Sequence, residues 1–376
     1  LYIDDIYYPR STGSLLALGD VQRIEVLRGP QGTLFGRNNT GGAIRYFTNL
    51  PGRDFEARGT VTVGSRERRD VDLLLNVPLG ENAALRAQAA MFKRDGFVDV
   101  VGTDRDLGDQ EDYVVRTTLR LTPTDDLDIK LRAAYTESSS NGDPVTIGNV
   151  SSTLPIVLAY NAYLATQGQP PITTDDPRWV SPSAYKTYSH CALDTAQRVA
   201  ANFGPGVGQL SDALAAGSFC EEFRESKNLF LSADIDWHLR DGLTFRSLTG
   251  FNSGEDVDQG DYGLFGASTN SIRNDMKSFS QELQLTGDGD RMDWVVGLYF
   301  FREEPVEATI NRQLVLGGPD LGRCCSGFDR IVELKTNSYA AFSQATFAVT
   351  DKLRMTGGLR YTYDEKSVVV TKTGIY

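Results

Sequence analysis

The chain has 376 residues, 40% of them hydrophobic, with a mean hydropathy of −0.30 and a formal net charge of −12. That length allows two or three soluble domains or one large β-barrel. No apolar run approaches the roughly 18 residues that a membrane helix needs, and the acidic balance argues against nucleic acid as a partner.

The chain opens at Leu1-Tyr2-Ile3-Asp4-Asp5 with no initiator Met and no signal peptide, so its start reads as internal to a longer precursor. Val21–Leu27 predicts a short strand that enters a glycine-rich turn, and Gly42–Thr48 predicts the strand that leaves it. The glycines permit left-handed backbone or the close approach of another segment. Gly29–Gly36 has neither GxGxxG spacing nor a Gly-Lys-Ser/Thr ending, so a nucleotide loop is set aside. The plain alternative is a glycine-rich hairpin in a small α/β domain.

From about residue 57 onward, segments of about 8–13 residues alternate apolar and polar with period 2. In Asn228–Leu239, Leu229, Leu231, Ala233, Ile235 and Trp237 oppose Asn228, Ser232, Asp234, Asp236 and His238. Eleven such strands are predicted, starting near Ala57, Arg69, Ala84, Asp112, Leu127, Lys227, Leu243, Lys277, Met292, Thr336 and Leu353; the Thr336 segment alternates poorly. About 10 residues of strand rise roughly 33 Å, enough to cross a bilayer core when tilted. Every second connection is short and rich in turn formers, such as Pro123–Asp126 and Arg240–Gly242, whereas the others are mostly long, at about 95–111, 138–226, 253–275 and 304–334, with only Ser65–Arg68 short among them. Short turns on one side and long loops on the other are expected of an outer-membrane barrel, and a soluble sandwich has no reason for them.

The loop from Ser138 to Glu225 is too long for a simple connection. Leu154–Thr166, Leu193–Phe203 and Gly208–Ala216 read as short helices within it. Tyr160, Tyr163, Trp179, Tyr185 and Tyr188 either stack on a ligand or form the loop's own small core. Cys191, Cys220, Cys324 and Cys325 all fall in predicted loops, without CxxC spacing and with only two histidines in the chain, so a zinc site is set aside. Loop disulfides are favoured: Cys191–Cys220 as a staple, with Cys324 and Cys325 either vicinal or paired elsewhere. The polar faces carry Arg86, Arg94, Arg116, Lys130, Arg132, Arg246 and Arg360, which suit anionic ligands but also any wet barrel interior.

The stretch "DVQRIEVLRGPQGTLFGRNNTGGAIRYFTN" resembles the end of the plug domain of TonB-dependent receptors, and "LYIDDIYYPR" resembles the plug strand before it. "SFSQELQLTG", "DWVVGLYFFREE" and "SYAAFSQATFAVTDKLRMTGGLRYTYDE" resemble that family's barrel strands. The resemblance implies an all-β fold: about the first half of a transmembrane antiparallel barrel of about 22 strands, preceded by the C-terminal part of an α/β plug. Residues 1–52 are the expected plug part and 53–376 the expected barrel half, with the remaining strands supplied from elsewhere. The motif residues are Arg23, Glu25, Arg28, Gly29, Pro30, Gly32, Gly36, Asn38, Gly41 and Gly42. Arg28 is expected to pair with Glu282 on the barrel wall; the alternative is that Glu282 faces lumen water. The implied function is energised uptake of a small molecule, a ferric siderophore by family frequency, with a glycan, haem, a vitamin or a nickel complex as the alternatives, and with no cofactor and no catalysis. The implied partners are the TonB complex, through a part not in this chain, and outer-membrane lipid. A barrel enzyme is disfavoured because no Ser–His–Asp spacing stands out, and a purely structural barrel because it needs no gated lumen.

Overall fold

The computed structural model describes residues 1–9, 20–29, 41–101, 103–146, 148–149, 151–153, 155–166, 168–171, 173–175, 180–181, 183–187, 222–261, 268–313 and 326–375. Four strands open the chain: β1 (Tyr2–Ile3), β2 (Ile6–Tyr7), β3 (Val21–Arg28) and β4 (Gly42–Thr48). They form one sheet in the order β2-β1-β4-β3, with β1 parallel to β4 and the other pairs antiparallel. Asp4 and Asp5 join β1 to β2 with φ of 48° and 69°. Positive φ at both central residues is the geometry of a type I′ turn, which follows the right-handed twist of the strands it joins. Aspartate tolerates it better than most side chains.

The wall begins with β5 (Glu56–Gly64), β6 (Arg68–Pro78) and β7 (Ala83–Arg94). Two short strands, β8 (Val98–Val100) and β9 (Asp106–Leu107), precede β10 (Gln110–Thr124) and β11 (Leu127–Ser140). Helix α1 (Pro155–Thr166) and β12 (Lys186–Thr187) lie in the long connection. Then follow β13 (Phe223–Arg240), β14 (Leu243–Asp261), β15 (Ser268–Gly287), β16 (Met292–Gln313), β17 (Ser326–Thr350) and β18 (Leu353–Ile375). Eleven of these strands form one antiparallel sheet, β18-β17-β16-β15-β14-β13-β11-β10-β7-β6-β5. They are the eleven that the alternation predicts, in sequence order.

Burial on the wall is inside out relative to a soluble protein. Asn228, Ser232, Asp234 and Asn252 are buried, while Leu231, Trp237, Leu298 and Leu359 are exposed. A water-soluble sheet buries the second set; a sheet with lipid outside and a polar interior does the reverse. The small sheet reaches both Arg86 on β7 and the surroundings of Arg360 on β18. Eight strand spacings of about 4.8 Å separate those two strands, roughly 38 Å if flat. The wall must therefore curve around the small sheet.

Three expectations need correction. The loops at 253–275 and 304–334 are much shorter than predicted, because β14 runs to Asp261, β15 starts at Ser268, β16 runs to Gln313 and β17 starts at Ser326. Those strand ends carry polar residues on both faces, such as Asp256, Asp258 and Gln259, so hydropathy loses its period while the backbone ladder continues. Second, the long connection 95–111 carries two short strands: β8 pairs with β9 and, in parallel, with β12, in a three-stranded sheet cored by Val98, Val100 and Leu107. Third, the poorly alternating segment at Thr336 lies inside β17, whose ladder with β16 skips Glu304–Pro305. Proline has no N–H to give to that ladder. Of the three expected helices, 154–166 appears as α1, and 193–203 and 208–216 lie outside the described residues.

Candidate functional site

The contact between the small sheet and the wall starts from the sequence Ile3-Asp4-Asp5-Ile6. The two-residue turn sets Ile3 directly opposite Ile6, which puts both on one face, and they pack with Tyr8 against Ala134 of β11 and Phe230 of β13. The turn between them is acidic, and each carboxylate meets a wall arginine. Asp4 Oδ2 lies 3.3 Å from Arg132 Nε, both side chains being more than nine-tenths buried. Asp4 also accepts 2.8 Å hydrogen bonds from the backbone N–H and the hydroxyl of Thr48, which tie the turn to β4. Asp5 Oδ2 accepts from Arg246 Nη2 at 3.1 Å and also pairs with Arg45. Ahead of β3, Asp20 takes both sides of the Arg86 fork, at 2.5 and 2.8 Å, while Arg86 Nη1 reaches Glu56 at 2.9 Å. Bidentate carboxylate–guanidinium contacts fix orientation as well as distance.

Shape continues what charge begins. A Cβ at Gly250 of β14 would lie 2.4 Å from Ile6 Cγ2, so only glycine lets the hairpin seat that closely. Tyr7 meets Phe301 edge-on at 5.5 Å between ring centres, and Tyr8 meets Phe230 at 6.1 Å. Burial pushes the Tyr8 hydroxyl up to about 12. Burial, with Tyr7 and Glu282 nearby, pushes the Tyr2 hydroxyl well above the ordinary tyrosine range. Both rings are therefore neutral at physiological pH.

On the other side of the hairpin is a cavity of about 250 Å³. Tyr2, Asp5, Tyr7 and Arg45 bound it on the small sheet; Arg246, Glu282, Tyr299 and Arg360 are among its wall residues. Arg360 Cζ lies 5.5 Å from the Tyr299 ring centre and 5.2 Å from that of Phe342. Among the described residues no carboxylate approaches it within ion-pair distance.

The expected Arg28–Glu282 pair does not form. Arg28 is exposed on β3, opposite Gly42, and Glu282 sits across the cavity beside Gln284, with Arg360, Arg246 and Asp5 as its charged surroundings. The reason is topological: β3 is the far strand of the small sheet, and β2, β1 and the turn between them meet β11, β13 and β14. Arg23 lies 3.6 Å over the Phe47 ring and donates to Glu25 at 2.8 Å; Glu25 also accepts from Arg45 at 2.7 Å. These two motif residues thus hold β3 to β4. Gly29 has φ of 85° and donates its N–H to the Gly41 carbonyl at 3.2 Å, and a Cβ on Gly42 would lie 2.2 Å from the Leu27 carbonyl oxygen.

Pro30, Gly32, Gly36 and Asn38 lie outside the described residues, as do Trp179, Tyr188, Cys191, Cys220, Cys324 and Cys325. The side chains of Tyr160 and Tyr163, on α1, lie outside them too. Tyr185 is 63% exposed beside β12, where its carbonyl accepts from the Asp99 N–H. Asp4, Asp5, Asp20 and Gly250, absent from the sequence-based set, form the docking contact. The signal for Asp4 and Asp5 is an acidic two-residue turn between apolar residues; Asp20 and Gly250 carry no such local signal.

Residues 174–374 match the family model described as "TonB dependent receptor-like, beta-barrel". The pesticin receptor of Yersinia pestis is 35% identical over 132 residues, covering 33% of this chain and 19% of that protein. The metal-pseudopaline receptor CntO of Pseudomonas aeruginosa is 34% identical over 87 residues, covering 23% and 12%. Among solved structures, the ferric yersiniabactin uptake receptor FyuA from Yersinia pestis superposes with a TM-score of 0.67 at 19% identity, over 99% of this chain and 51% of that one. The ferripyoverdine receptor of the Pseudomonas aeruginosa outer membrane gives 0.67 at 16% identity, over 99% and 46%. The chain thus spans about half the length of the solved structures it resembles.

Proposed function

Since this chain belongs to the TonB-dependent receptor family and its strands lie in the bacterial outer membrane, we propose that it forms part of an active-uptake receptor whose lumen is closed by the N-terminal sheet. Residues 1–52 are then the end of the plug and 53–376 the first part of the barrel. The observation that carries this reading is the seating of the sheet inside the curved wall by Asp4–Arg132, Asp5–Arg246 and Asp20–Arg86. A wall that only anchored surface loops has no use for a charge-clamped insert. An obstructed lumen needs work to open it, which the TonB complex would supply through a part of the protein beyond this chain.

The proposed solute is a ferric siderophore. The fold relatives titled as ferric yersiniabactin and ferripyoverdine receptors support it. A chelate of another metal is the second reading, favoured by the match to a metal-pseudopaline receptor. Cells lacking the gene should lose uptake of radioiron supplied as the chelates in their own iron-starved spent medium, and the restored gene should return it. Unchanged iron uptake with loss of radiolabelled nickel or zinc uptake would select the second reading. No change in any would remove the uptake proposal.

A further inference from the structure

The outward face of the wall carries a charged cluster that has no part in seating the N-terminal sheet. On β16, Trp294, Val296, Leu298, Phe300, Arg302 and Glu304 alternate onto one face, and Val296 and Leu298 on it are exposed, as lipid-facing residues are. The ladders extend that face sideways: Phe300 lies opposite Tyr339, Arg302 opposite Phe279, and Glu304 opposite both Lys277 and Lys335. Phe279, Phe300 and Tyr339 form a row of rings, with centres 6.2 and 5.2 Å apart. Aromatic rows of this kind mark the boundary between the apolar band and the headgroups. This one lies towards the long connections, at the other end of the band from Trp294. Immediately beyond it, Lys277, Arg302 and Lys335 gather around one carboxylate. Arg302 Nη2 donates to Glu304 Oε1 at 2.5 Å and Lys335 Nζ lies 3.8 Å from the same oxygen. Among the described residues no carboxylate lies within ion-pair distance of Lys277. Asp275, held by Arg273, and Glu333 lie one rung further from the bilayer, and Glu365 lies beyond Asn337. Between β7 and β13 the same belt is matched one to one: Lys93 with Glu111 at 3.0 Å and Lys227 with Glu137 at 3.5 Å. There the hydroxyls of Tyr113 and Tyr135 also donate to those two carboxylates.

From this local surplus of cations above the aromatic row we infer that Lys277, Arg302 and Lys335 form a docking site for the phosphorylated headgroup of an outer-leaflet glycolipid. The guanidinium offers a fork that matches phosphate oxygens, and the two ammonium groups add point charge beside it. Their long stems let the charged heads stand at headgroup height while the apolar part stays on the wall. Glu304 holds Arg302 and Lys335 together, and its single charge cannot neutralise all three cations. Below them the exposed side chains of Leu283, Leu298 and Tyr339 offer an apolar strip for acyl chains. A free phosphate has no use for that strip, whereas a lipid uses both parts. The cluster lies on the long-connection side, which faces outwards in an outer-membrane barrel, so the lipid belongs to the outer leaflet. The inference rests on the membrane placement of the wall and is independent of what the lumen carries.

The test uses the full-length receptor, purified in detergent and stripped of lipid, with bis-phosphorylated lipid A as the probe and native mass spectrometry to count bound lipid. Dephosphorylated lipid A and phosphatidylglycerol are the comparison lipids. The variant Lys277→Gln with Arg302→Gln and Lys335→Gln should raise the lipid A concentration for half-occupancy at least about tenfold, each lost cation being worth about fivefold. Lys93→Gln with Lys227→Gln removes two cations that already have carboxylate partners and should change it by less than about twofold. Glu304→Gln releases the cations and should tighten binding by about threefold. Wild-type receptor should bind dephosphorylated lipid A and phosphatidylglycerol more weakly than the phosphorylated form. Unchanged lipid A binding by the triple variant, or equal binding of either comparison lipid by the wild type, overturns the inference. If the triple variant does not assemble into a heat-resistant barrel, Glu304→Gln decides: tighter binding upholds the site, and unchanged or weaker binding overturns it.

Discussion

Gly250 gives the sharpest test of how the N-terminal sheet is seated. In Gly250→Ala the new methyl would lie 2.4 Å from Ile6 Cγ2 and 2.9 Å from Ser280 Oγ. Ordinary contact begins near 3.5 Å, so the hairpin must retreat by about 1 Å or Ile6 must leave its rotamer. Ser280 can rotate away, but Ile6 is β-branched and packed on Phe230. Overpacking of this kind costs about 1–3 kcal/mol. The cost should fall on docking of the sheet and not on the wall, because Gly250 keeps its ladder partners Ser232 and Ser280. The assay is protease cleavage of the N-terminal region of the full-length receptor in outer-membrane vesicles, titrated with urea. Gly250→Ala should lower the urea midpoint for cleavage, whereas the heat-resistant migration of the barrel should not change. Adding Ile6→Ala should cancel most of the alanine penalty, since the clashing Cγ2 is gone, although Ile6→Ala alone is destabilising. A single variant that behaves as wild type, or a double variant whose losses simply add, would refute the reasoning.

Other consequences follow from the charged clamps. Arg132→Ala leaves Asp4 buried without its guanidinium and should cost about 3 kcal/mol in the same protease assay, less once Asp4→Asn is added. Arg86→Lys loses the fork that spans Asp20 and Glu56 and should cost about 1.5 kcal/mol or more, seen as a lower urea midpoint. Tyr8 favours its protonated form in the folded state, with its hydroxyl at about 12 against the usual value near 10. Its contribution is therefore complete below about pH 10 and lost as pH rises towards 12. Tyr8→Phe should flatten that part of the pH–stability curve, as followed by the same cleavage midpoint.

The wall was readable from the sequence because lipid and lumen impose opposite demands on alternate residues. In β13, Leu229, Leu231 and Trp237 face one way and Asn228, Ser232 and Asp234 the other, and no partner strand is needed to see it. The signal fades towards the long-loop ends of β14 to β17, where both faces are polar, so the sequence there resembles loop although the ladder continues. The docking contact was only half readable. Asp4-Asp5 between apolar residues marks a turn, and Arg132 and Arg246 mark a polar face. Their pairing joins residues as far as 241 positions apart, and no local pattern encodes it. The same non-locality explains Arg28: the motif is legible, but which strand of the small sheet meets the wall is decided by the parallel pairing of β1 with β4.

The central claim, energised uptake through this barrel, is tested most directly by the rate of radioiron uptake in cells carrying the full-length receptor, with and without a functional tonB gene. The chelates would again come from iron-starved spent medium. Saturable uptake that disappears without TonB, while binding to the cell surface persists, is the predicted result. Uptake that continues at the same rate without TonB would contradict the account.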